Sequence, residues 1–104
     1  MYYVYMLRCE DNSIYTGITT NVSKRMEEHF TKVKGAKYTH SHTAKKLEAI
    51  WQTENRILAS KLEYHIKKLV KAKKEELISK NNLEKLLGKT IESSQYKRLE
   101  IKKY

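Results

Sequence analysis

The order of apolar and polar positions at the start of the chain predicts a β-hairpin. Residues 2–9 are aromatic and β-branched, and residues 13–18 form a second run of the same kind, so both are typical of strands. Residues 10–12 between them are polar. Asn12 tolerates the left-handed backbone conformation that a three-residue hairpin loop needs. The pattern therefore predicts two antiparallel strands joined by a tight loop.

The length of this loop decides where Tyr5 and Tyr15 point. A three-residue loop pairs Leu7 with Tyr15 and Tyr5 with Gly17, and since side chains alternate along a strand, both tyrosines then lie on one face. A two-residue turn would place them on opposite faces. We favour the three-residue loop, in which Gly17 leaves space opposite Tyr5.

Apolar residues four positions apart predict a first helix over residues 22–30, which Thr20 or Asn21 can cap. The stripe that this period predicts to be buried contains Val22, Met26 and Phe30. Arg25 and His29 are also four positions apart, so they lie side by side on the neighbouring face of the helix.

A third strand is predicted over residues 46–53, after a polar and basic loop over residues 31–44 that contains Gly35. Strict alternation along this strand places one set of side chains together, namely Leu47, Ala49 and Trp51. Glu48 and Ile50 then face the other side. The pattern is mixed, so it leaves the ends of the strand open.

A helical period replaces the strand pattern from about residue 55. Its apolar positions are Leu58, Leu62, Ile66 and Leu69 or Val70, with lysines opposite, and Glu63 lies at the edge of this stripe. Residues 72–87 repeat the pattern, with Asn81 and Asn82 as the candidate break and Gly88 as a C-terminal cap. Residues 89–104 have weak periodicity and fit a short helix, a short strand or partial disorder.

These elements predict one α+β domain, in agreement with the length of 104 residues. Its expected architecture is a three-stranded antiparallel sheet flanked by helices, in the order β-β-α-β-α-α, followed by a C-terminal tail. The expected domain covers residues 1–88 and the tail residues 89–104.

The charge of the chain narrows the classes of partner. Lys and Arg number 22 against 12 Asp and Glu, which gives a net charge of +10 and suits nucleic acid or an anionic membrane surface. No stretch approaches the roughly 18 apolar residues of a membrane-spanning helix. The only cysteine, Cys9, excludes an internal disulfide bond and favours a cytoplasmic location. The charge alone leaves nucleic acid and an anionic surface open as partners, and no membrane-spanning segment is expected.

The polar side chains on the predicted strands and helices are of the types that phosphodiester hydrolysis needs. That reaction needs an activated water, positive charge on the phosphate oxygens and usually a metal ion. The candidate groups are two phenols on one strand face, a guanidinium, an imidazole one helical turn later and a carboxylate on another helix. His40, His42 and His65 lack the cysteine partners and ligand spacing of a zinc site.

The same residues, in this order, resemble the GIY-YIG nuclease superfamily. The matching features are Tyr3-Val4-Tyr5, Tyr15-Thr16-Gly17, Arg25, His29 and Glu63. The similarity spans roughly residues 2–78 and is greatest to the small single-domain YhbQ-like branch, which is related to the nuclease domains of UvrC and of Slx-type endonucleases. Tyr3 stands where the first motif of the superfamily has glycine, and Asn81 and Asn82 are candidates for its late asparagine.

The resemblance implies a metal-dependent DNA endonuclease with four catalytic residues. Tyr5 would deprotonate or orient the attacking water, and Tyr15 would bond to the scissile phosphate or the water network. Arg25 would stabilise charge on the phosphate, and His29 would transfer a proton or contact the phosphate. Glu63 would hold one Mg²⁺ or Mn²⁺ ion. A phenol with an ordinary pKa of about 10 is a poor base at neutral pH, so Arg25, nearby lysines and the metal would have to lower that pKa or let the phenolate form transiently.

The expected substrate is DNA that is branched, damaged or single-stranded, in repair or recombination. The residues expected to contact it are Lys24, Lys37, Tyr38, Thr39 and His40. The chain lacks the accessory DNA-binding domain of homing and repair relatives, which motivates two alternatives. One is a nucleic-acid-binding module with little turnover. The other is an interaction protein that docks a partner through its C-terminal leucines, Leu83, Leu86 and Leu87.

Overall fold

A computed structural model of the chain describes residues 1–31 and 42–101. Its four strands are β1 (Tyr2–Cys9), β2 (Ile14–Thr19), β3 (Ala44–Thr53) and β4 (Lys97–Arg98), and its helices are α1 (Val22–Thr31), α2 (Arg56–Lys67), α3 (Lys71–Lys80) and α4 (Leu83–Leu87). The strands form one antiparallel sheet in the order β2-β1-β3-β4. The predicted α+β class and antiparallel sheet are confirmed, and β4 is an additional strand.

The β1–β2 hairpin has the three-residue loop. Asn12 adopts the left-handed conformation with φ of 70°, and the backbone N–H of Cys9 donates to the carbonyl of Ser13 at 2.9 Å. Tyr5 lies opposite Gly17 in the resulting register, as predicted. Tyr15, two residues from Gly17, therefore lies on the same face of the sheet as Tyr5.

A β-bulge at Glu48 changes the parity of β3. Met6 lies opposite Ala49, but the next residue of β1, Leu7, lies opposite Leu47. Glu48 is therefore the extra residue of the bulge, and Leu47 lies on the opposite face of the sheet from Ala49. The prediction that these two side chains share a face is wrong, because strict alternation does not continue through a bulge.

Apolar side chains cover both faces of the sheet. The larger core lies between the sheet and α2, α3 and α4, and its central residues are Val4, Met6, Ala49, Trp51, Leu62 and Ile66. The smaller core lies between the other face and α1, and its residues are Tyr5, Leu7, Val22, Met26, Ala44, Leu47 and Ile50. The sheet is thus the middle layer of the fold.

Helix α1 buries a different side chain from the one that its apolar period predicts. Val22 and Met26 are buried as expected, but Phe30 is 45% exposed whereas His29 is fully buried. His29 lies three residues after Met26 and so shares its face of the helix. The predicted burial of Phe30 is wrong, because His29 occupies the position that faces Tyr5.

The residues after Gly88 complete the larger core. Ile91 and Tyr96 are buried there, and the Tyr96 hydroxyl donates a hydrogen bond to the carbonyl of Leu58 at 2.7 Å. A 3-10 turn, Ser93–Gln95, leads into β4. Of the tail for which the sequence leaves a helix, a strand or partial disorder open, residues 91–98 therefore pack on the larger core and join the sheet.

Arg98 fastens β4 to α3. The guanidinium lies 5.1 Å from the centroid of the Trp51 ring, and its N–H groups donate to the carbonyls of Leu77 and Ile78 at 3.4 and 3.1 Å.

Asn81, with φ of 50°, ends α3 in the left-handed conformation, so the predicted break at this position is confirmed. Within the described ranges, every helix is too short or too polar to cross a bilayer.

The substitution Tyr96→Ala tests whether the last residues belong to the core. We expect it to lower the free energy of unfolding by about 3–5 kcal/mol, because it removes a buried ring together with its hydrogen bond. Urea denaturation followed by circular dichroism measures this change. Tyr64→Ala is the matched control, since Tyr64 is 54% exposed and should cost less than about 0.5 kcal/mol. Equally small effects of both substitutions would contradict the packing of this segment.

Candidate active site

The hydroxyl group of Tyr5 is the centre of a buried polar cluster. Tyr5 lies in the middle of β1 and has no exposed surface. Its Oη atom lies 2.7 Å from Nε2 of His29, which is also fully buried. The Nε–H group of Arg25 donates to the same oxygen at 3.4 Å. Packing of α1 on the sheet thus brings an imidazole and a guanidinium to one phenol.

Tyr15 completes the cluster. Its ring centroid lies 6.1 Å from that of Tyr5 and 5.6 Å from that of His29. A hydrogen bond between the two phenols is among the interactions that raise the pKa of Tyr5, after its burial. Tyr15 lies on the edge strand β2 and is partly exposed. It therefore extends the cluster from the buried Tyr5 towards solvent.

Gly17 leaves room for the ring of Tyr5. A Cβ atom at this position would lie 2.6 Å from Oη and 2.7 Å from Cζ of Tyr5, and 3.0 Å from the ring of Tyr15. The backbone of Gly17 is not left-handed. The need for glycine is therefore steric, and it follows from the hairpin register that places Gly17 opposite Tyr5.

Burial keeps both Tyr5 and His29 neutral. Burial raises the pKa of Tyr5 above its ordinary range, and the hydrogen bond from Arg25 opposes this change only in part. Burial, together with the charge of Arg25, lowers the pKa of His29 to about 4. Of the two routes expected for the phenol, a pKa lowered by the cations of the protein alone is not found, since desolvation outweighs the effect of Arg25.

Arg25 lies at the boundary between the cluster and solvent. Its side chain is 26% exposed and forms an ion pair of 3.0 Å with Glu28, one helical turn later. A polar pocket of about 340 Å³ opens beside it. The pocket is lined by Ile18, Thr19, Thr20, Asn21, Lys24, Arg25 and Glu28. The predicted contact residue Lys24 thus shares a concave surface with Arg25.

Glu63 lies on α2 and is linked to the cluster through Lys67. The Lys67 ammonium is 3.3 Å from the Glu63 carboxylate and 5.9 Å from the ring centroid of Tyr15. Helix α2 packs on the opposite face of the sheet from α1, so this link passes around β2, the outer strand of the sheet in the described part of the chain. Tyr5, Tyr15, Arg25 and His29 are in contact, and Glu63 is one side chain further away.

A divalent ion at Glu63 would need a substrate phosphate as a further ligand, because the donor set there, in the part of the chain that is described, is one carboxylate. Among the described residues, no three His, Cys, Asp or Glu side chains are close enough to hold an ion by themselves. Mg²⁺ needs no such cage, because it keeps several waters and is often bound by one or two carboxylates plus substrate phosphates. Glu63, 22% exposed beside the cluster, can supply such a carboxylate.

The remaining candidate residues fall into two groups, the loop residues and two histidines. The loop residues Lys37, Tyr38, Thr39 and His40 are outside the described residues. His42 forms an ion pair of 2.6 Å with Asp11 of the hairpin loop, and His65 packs edge-on against Tyr64 with centroids 5.2 Å apart.

Sequence reasoning missed two residues of the site, Glu28 and Lys67. Glu28 follows Arg25 by three positions, and Lys67 follows Glu63 by four. Both are standard spacings for side-chain pairs on a helix. The spacing could therefore have identified each as the ion-pair partner of a candidate residue.

The sequence model of the GIY-YIG catalytic domain matches residues 1–76, which include all five residues of the predicted catalytic and metal-binding set. The chain belongs to the GIY-YIG family. Its relatives include a UPF0213 protein of Fusobacterium nucleatum, 54% identical over 79 residues, with 76% of this chain and 78% of the relative covered. The UPF0213 protein YhbQ of Salmonella paratyphi B is 42% identical over 78 residues, covering 75% and 77%. The predicted YhbQ-like branch is thereby confirmed.

A related protein, UPF0213 protein BH0048 of Halalkalibacterium halodurans, is 44% identical over 78 residues, which cover 75% of this GIY-YIG chain and 82% of the relative. A solution NMR structure of UPF0213 protein BH0048 from Bacillus halodurans is similar to this chain with a TM-score of 0.49 at 44% identity. That similarity covers 76% of this chain and 84% of the solved one.

The substitution Gly17→Ala tests the steric role of Gly17. We expect a loss of about 1–3 kcal/mol in the free energy of unfolding, because the added methyl group overlaps the ring of Tyr5. The same substitution in a Tyr5→Leu background should cost less, since the ring tip is then absent. Denaturation of all four proteins gives the coupling energy. Equal cost in both backgrounds would show that the contact does not limit position 17.

Folding should also depend on pH through His29. Its pKa falls from 6.5 to about 4 on folding, so the unfolded chain binds the proton first as the pH is lowered. Stability should be fully present above pH 6.5 and decline towards pH 4, by up to about 3 kcal/mol for this group. The free energy of unfolding measured between pH 4 and 8 should show this decline. In His29→Gln, which can still bond to Tyr5, the decline should be smaller by that amount; identical pH profiles would contradict the assignment.

Proposed function

We propose that this GIY-YIG protein is an endonuclease that hydrolyses phosphodiester bonds in DNA with one Mg²⁺ or Mn²⁺ ion, in repair or recombination. The observation that supports this most strongly is the Tyr5 hydroxyl, held between the imidazole of His29 at 2.7 Å and the guanidinium of Arg25 at 3.4 Å. One oxygen thus has both a proton partner and a cation beside it. Membership of a family of catalytic domains favours the same chemistry.

The buried pair moves the proton of the attacking water. Tyr5 has no exposed surface, so the water contacts the partly exposed Tyr15, whose phenol bonds to Tyr5. A neutral imidazole can accept a proton at Nε2 from the Tyr5 hydroxyl. As the water attacks phosphorus, its proton passes to Tyr15, the Tyr15 proton passes to Tyr5 and the Tyr5 proton moves to Nε2 of His29. The bond from phosphorus to the leaving sugar oxygen breaks in the same step, and that oxygen takes a proton from solvent water. Neither phenol needs to ionise beforehand, which agrees with the raised pKa of Tyr5.

Arg25 stabilises the charge that grows on the non-bridging phosphate oxygens. Its guanidinium is partly exposed, and it is fixed by Tyr5 on one side and by Glu28 on the other. A donor that is oriented before the reaction stabilises developing charge without reorganisation at the moment of attack. The nucleotide that flanks the scissile phosphate would then occupy the pocket beside Arg25, near Lys24.

Glu63 is the residue that would hold the divalent ion, which supplies positive charge to the phosphate when bound. In the protein alone, the carboxylate is paired with Lys67. With the ion held by Glu63, the Lys67 ammonium would be available to contact the phosphate backbone. Lys67 therefore serves as the counter-ion of Glu63 between catalytic events.

One alternative is a nucleic-acid-binding module of the same fold with little turnover. Two observations favour it: Tyr5 and His29 are both neutral and poor bases, and Glu63 is already paired with Lys67. This alternative predicts salt-sensitive binding of DNA without cleavage in any divalent metal.

Cleavage of labelled DNA in Mg²⁺ or Mn²⁺ distinguishes these functions. The substrates are duplex, flap, junction and single strand. We expect the wild type to cut at least one of them, and Arg25→Ala and Glu63→Gln to reduce the rate about 100-fold or more, as loss of one preorganised charge-stabilising group does. The controls Lys85→Ala and Glu54→Gln change exposed residues away from the cluster and should cut at the wild-type rate. Equal activity of all variants would reveal a contaminating nuclease, and absence of cutting with intact DNA binding would support the binding module.

A further inference from the structure

The outer face of α2 carries a second surface suited to nucleic acid. Ile57, Lys61, Tyr64 and Lys68 follow at intervals of four, three and four residues, so they form one stripe along the helix. Each is exposed, and the helix buries its opposite side through Ala59, Leu62 and Ile66. We call these four residues the α2 stripe.

Tyr64 is the centre of the α2 stripe. Its side chain is 54% exposed, and Ile57 on the same stripe is 80% exposed. The ammonium of Lys68 lies 4.7 Å from the centroid of the Tyr64 ring, and the imidazole of His65 packs against the ring edge-on. An exposed ring offers an unpaired base a stacking surface once the Lys68 ammonium turns from the ring face to the phosphate of that base, a combination typical of single-strand binding.

The α2 stripe is continuous with the candidate active site. Glu63, the predicted metal ligand, immediately precedes Tyr64 on the helix. Lys67, which bonds to Glu63 and lies over the ring of Tyr15, immediately precedes Lys68. A strand that leaves the active site past Glu63 and Lys67 would therefore next meet Tyr64 and Lys68.

We propose that the α2 stripe is a stacking platform for an unpaired strand of the substrate, so that the protein prefers nucleic acid with single-stranded segments over intact duplex. This inference rests on the proposed nuclease function, because that function brings a nucleic-acid strand to this surface. A duplex cannot use the Tyr64 ring, because its bases already stack on one another. Lysine is depleted in the centres of protein–protein interfaces, so two lysines around the ring favour a polyanion over a protein partner.

Binding without cleavage tests the platform directly. Fluorescence anisotropy in EDTA measures the affinity for a labelled thymine single strand and for a duplex of the same length. We expect the wild type to bind the single strand more tightly. Tyr64→Ala should weaken that binding about tenfold and change duplex binding less than twofold, and Tyr64→Phe, which keeps the ring, should restore it. Lys68→Ala should lower the salt dependence of binding, whereas Lys85→Ala on α4 should not.

The outcomes separate this inference from the proposed function. Equal single-strand affinity of the wild type and Tyr64→Ala, or no single-strand binding at all, would overturn the platform. If Tyr64→Ala weakens binding while cleavage is absent or is unaffected by Arg25→Ala, the platform holds and the nuclease proposal fails. Sedimentation of the wild type and Ile57→Ala examines the competing use of the stripe. Self-association that is lost in Ile57→Ala, with DNA binding unchanged in Tyr64→Ala, would identify the face as a contact between copies of this chain.

Discussion

The hydrogen bond between the Tyr5 hydroxyl and the His29 imidazole ties the candidate active site to the fold. Both groups are fully buried, and a buried polar group without a partner costs folding free energy. The bond therefore requires α1 to pack on the sheet at one rotation, with His29 rather than Phe30 inward. The same bond fixes the oxygen to which Arg25 donates. The positions of the phenol and the imidazole depend on this contact, and the burial that accompanies it keeps both groups neutral.

The parts of the fold that the sequence could predict are those set by local geometry. The left-handed tolerance of Asn12 and the parity of the two strands were enough to place Tyr5 opposite Gly17. The side of Leu47 was beyond such reasoning, because the bulge at Glu48 lies where β3 pairs with a strand about 40 residues earlier. The Glu48 carboxylate accepts a hydrogen bond from Arg8 there, a contact that no local pattern contains.

The candidate site shows the same division. The four-residue interval between Arg25 and His29 could be read from the sequence, but their environments could not. The four-residue spacing of apolar residues in α1 favoured Phe30 as the buried residue. Burial of His29 becomes favourable only through Tyr5, which is distant in the sequence but bonded to His29 in the fold. The cationic neighbours of Tyr5 were visible in the sequence, whereas the complete desolvation that raises its pKa was not. Glu63 could be assigned only by resemblance, since a glutamate at the flank of a helix is ordinary.

The position of β2 at the edge of the sheet explains how residues from both layers can meet. Helix α1 packs on one face and α2 on the other, so the sheet separates Arg25 from Glu63 everywhere except beyond β2. Lys67 passes around that edge to the ring of Tyr15. A further strand paired with β2 would close the passage. The strand that the chain adds, β4, pairs with β3 at the opposite edge. The residues from Ile91 to Arg98 therefore extend the larger core and the sheet at the edge away from the cluster, and within residues 1–31 and 42–101 no strand pairs with the outer side of β2.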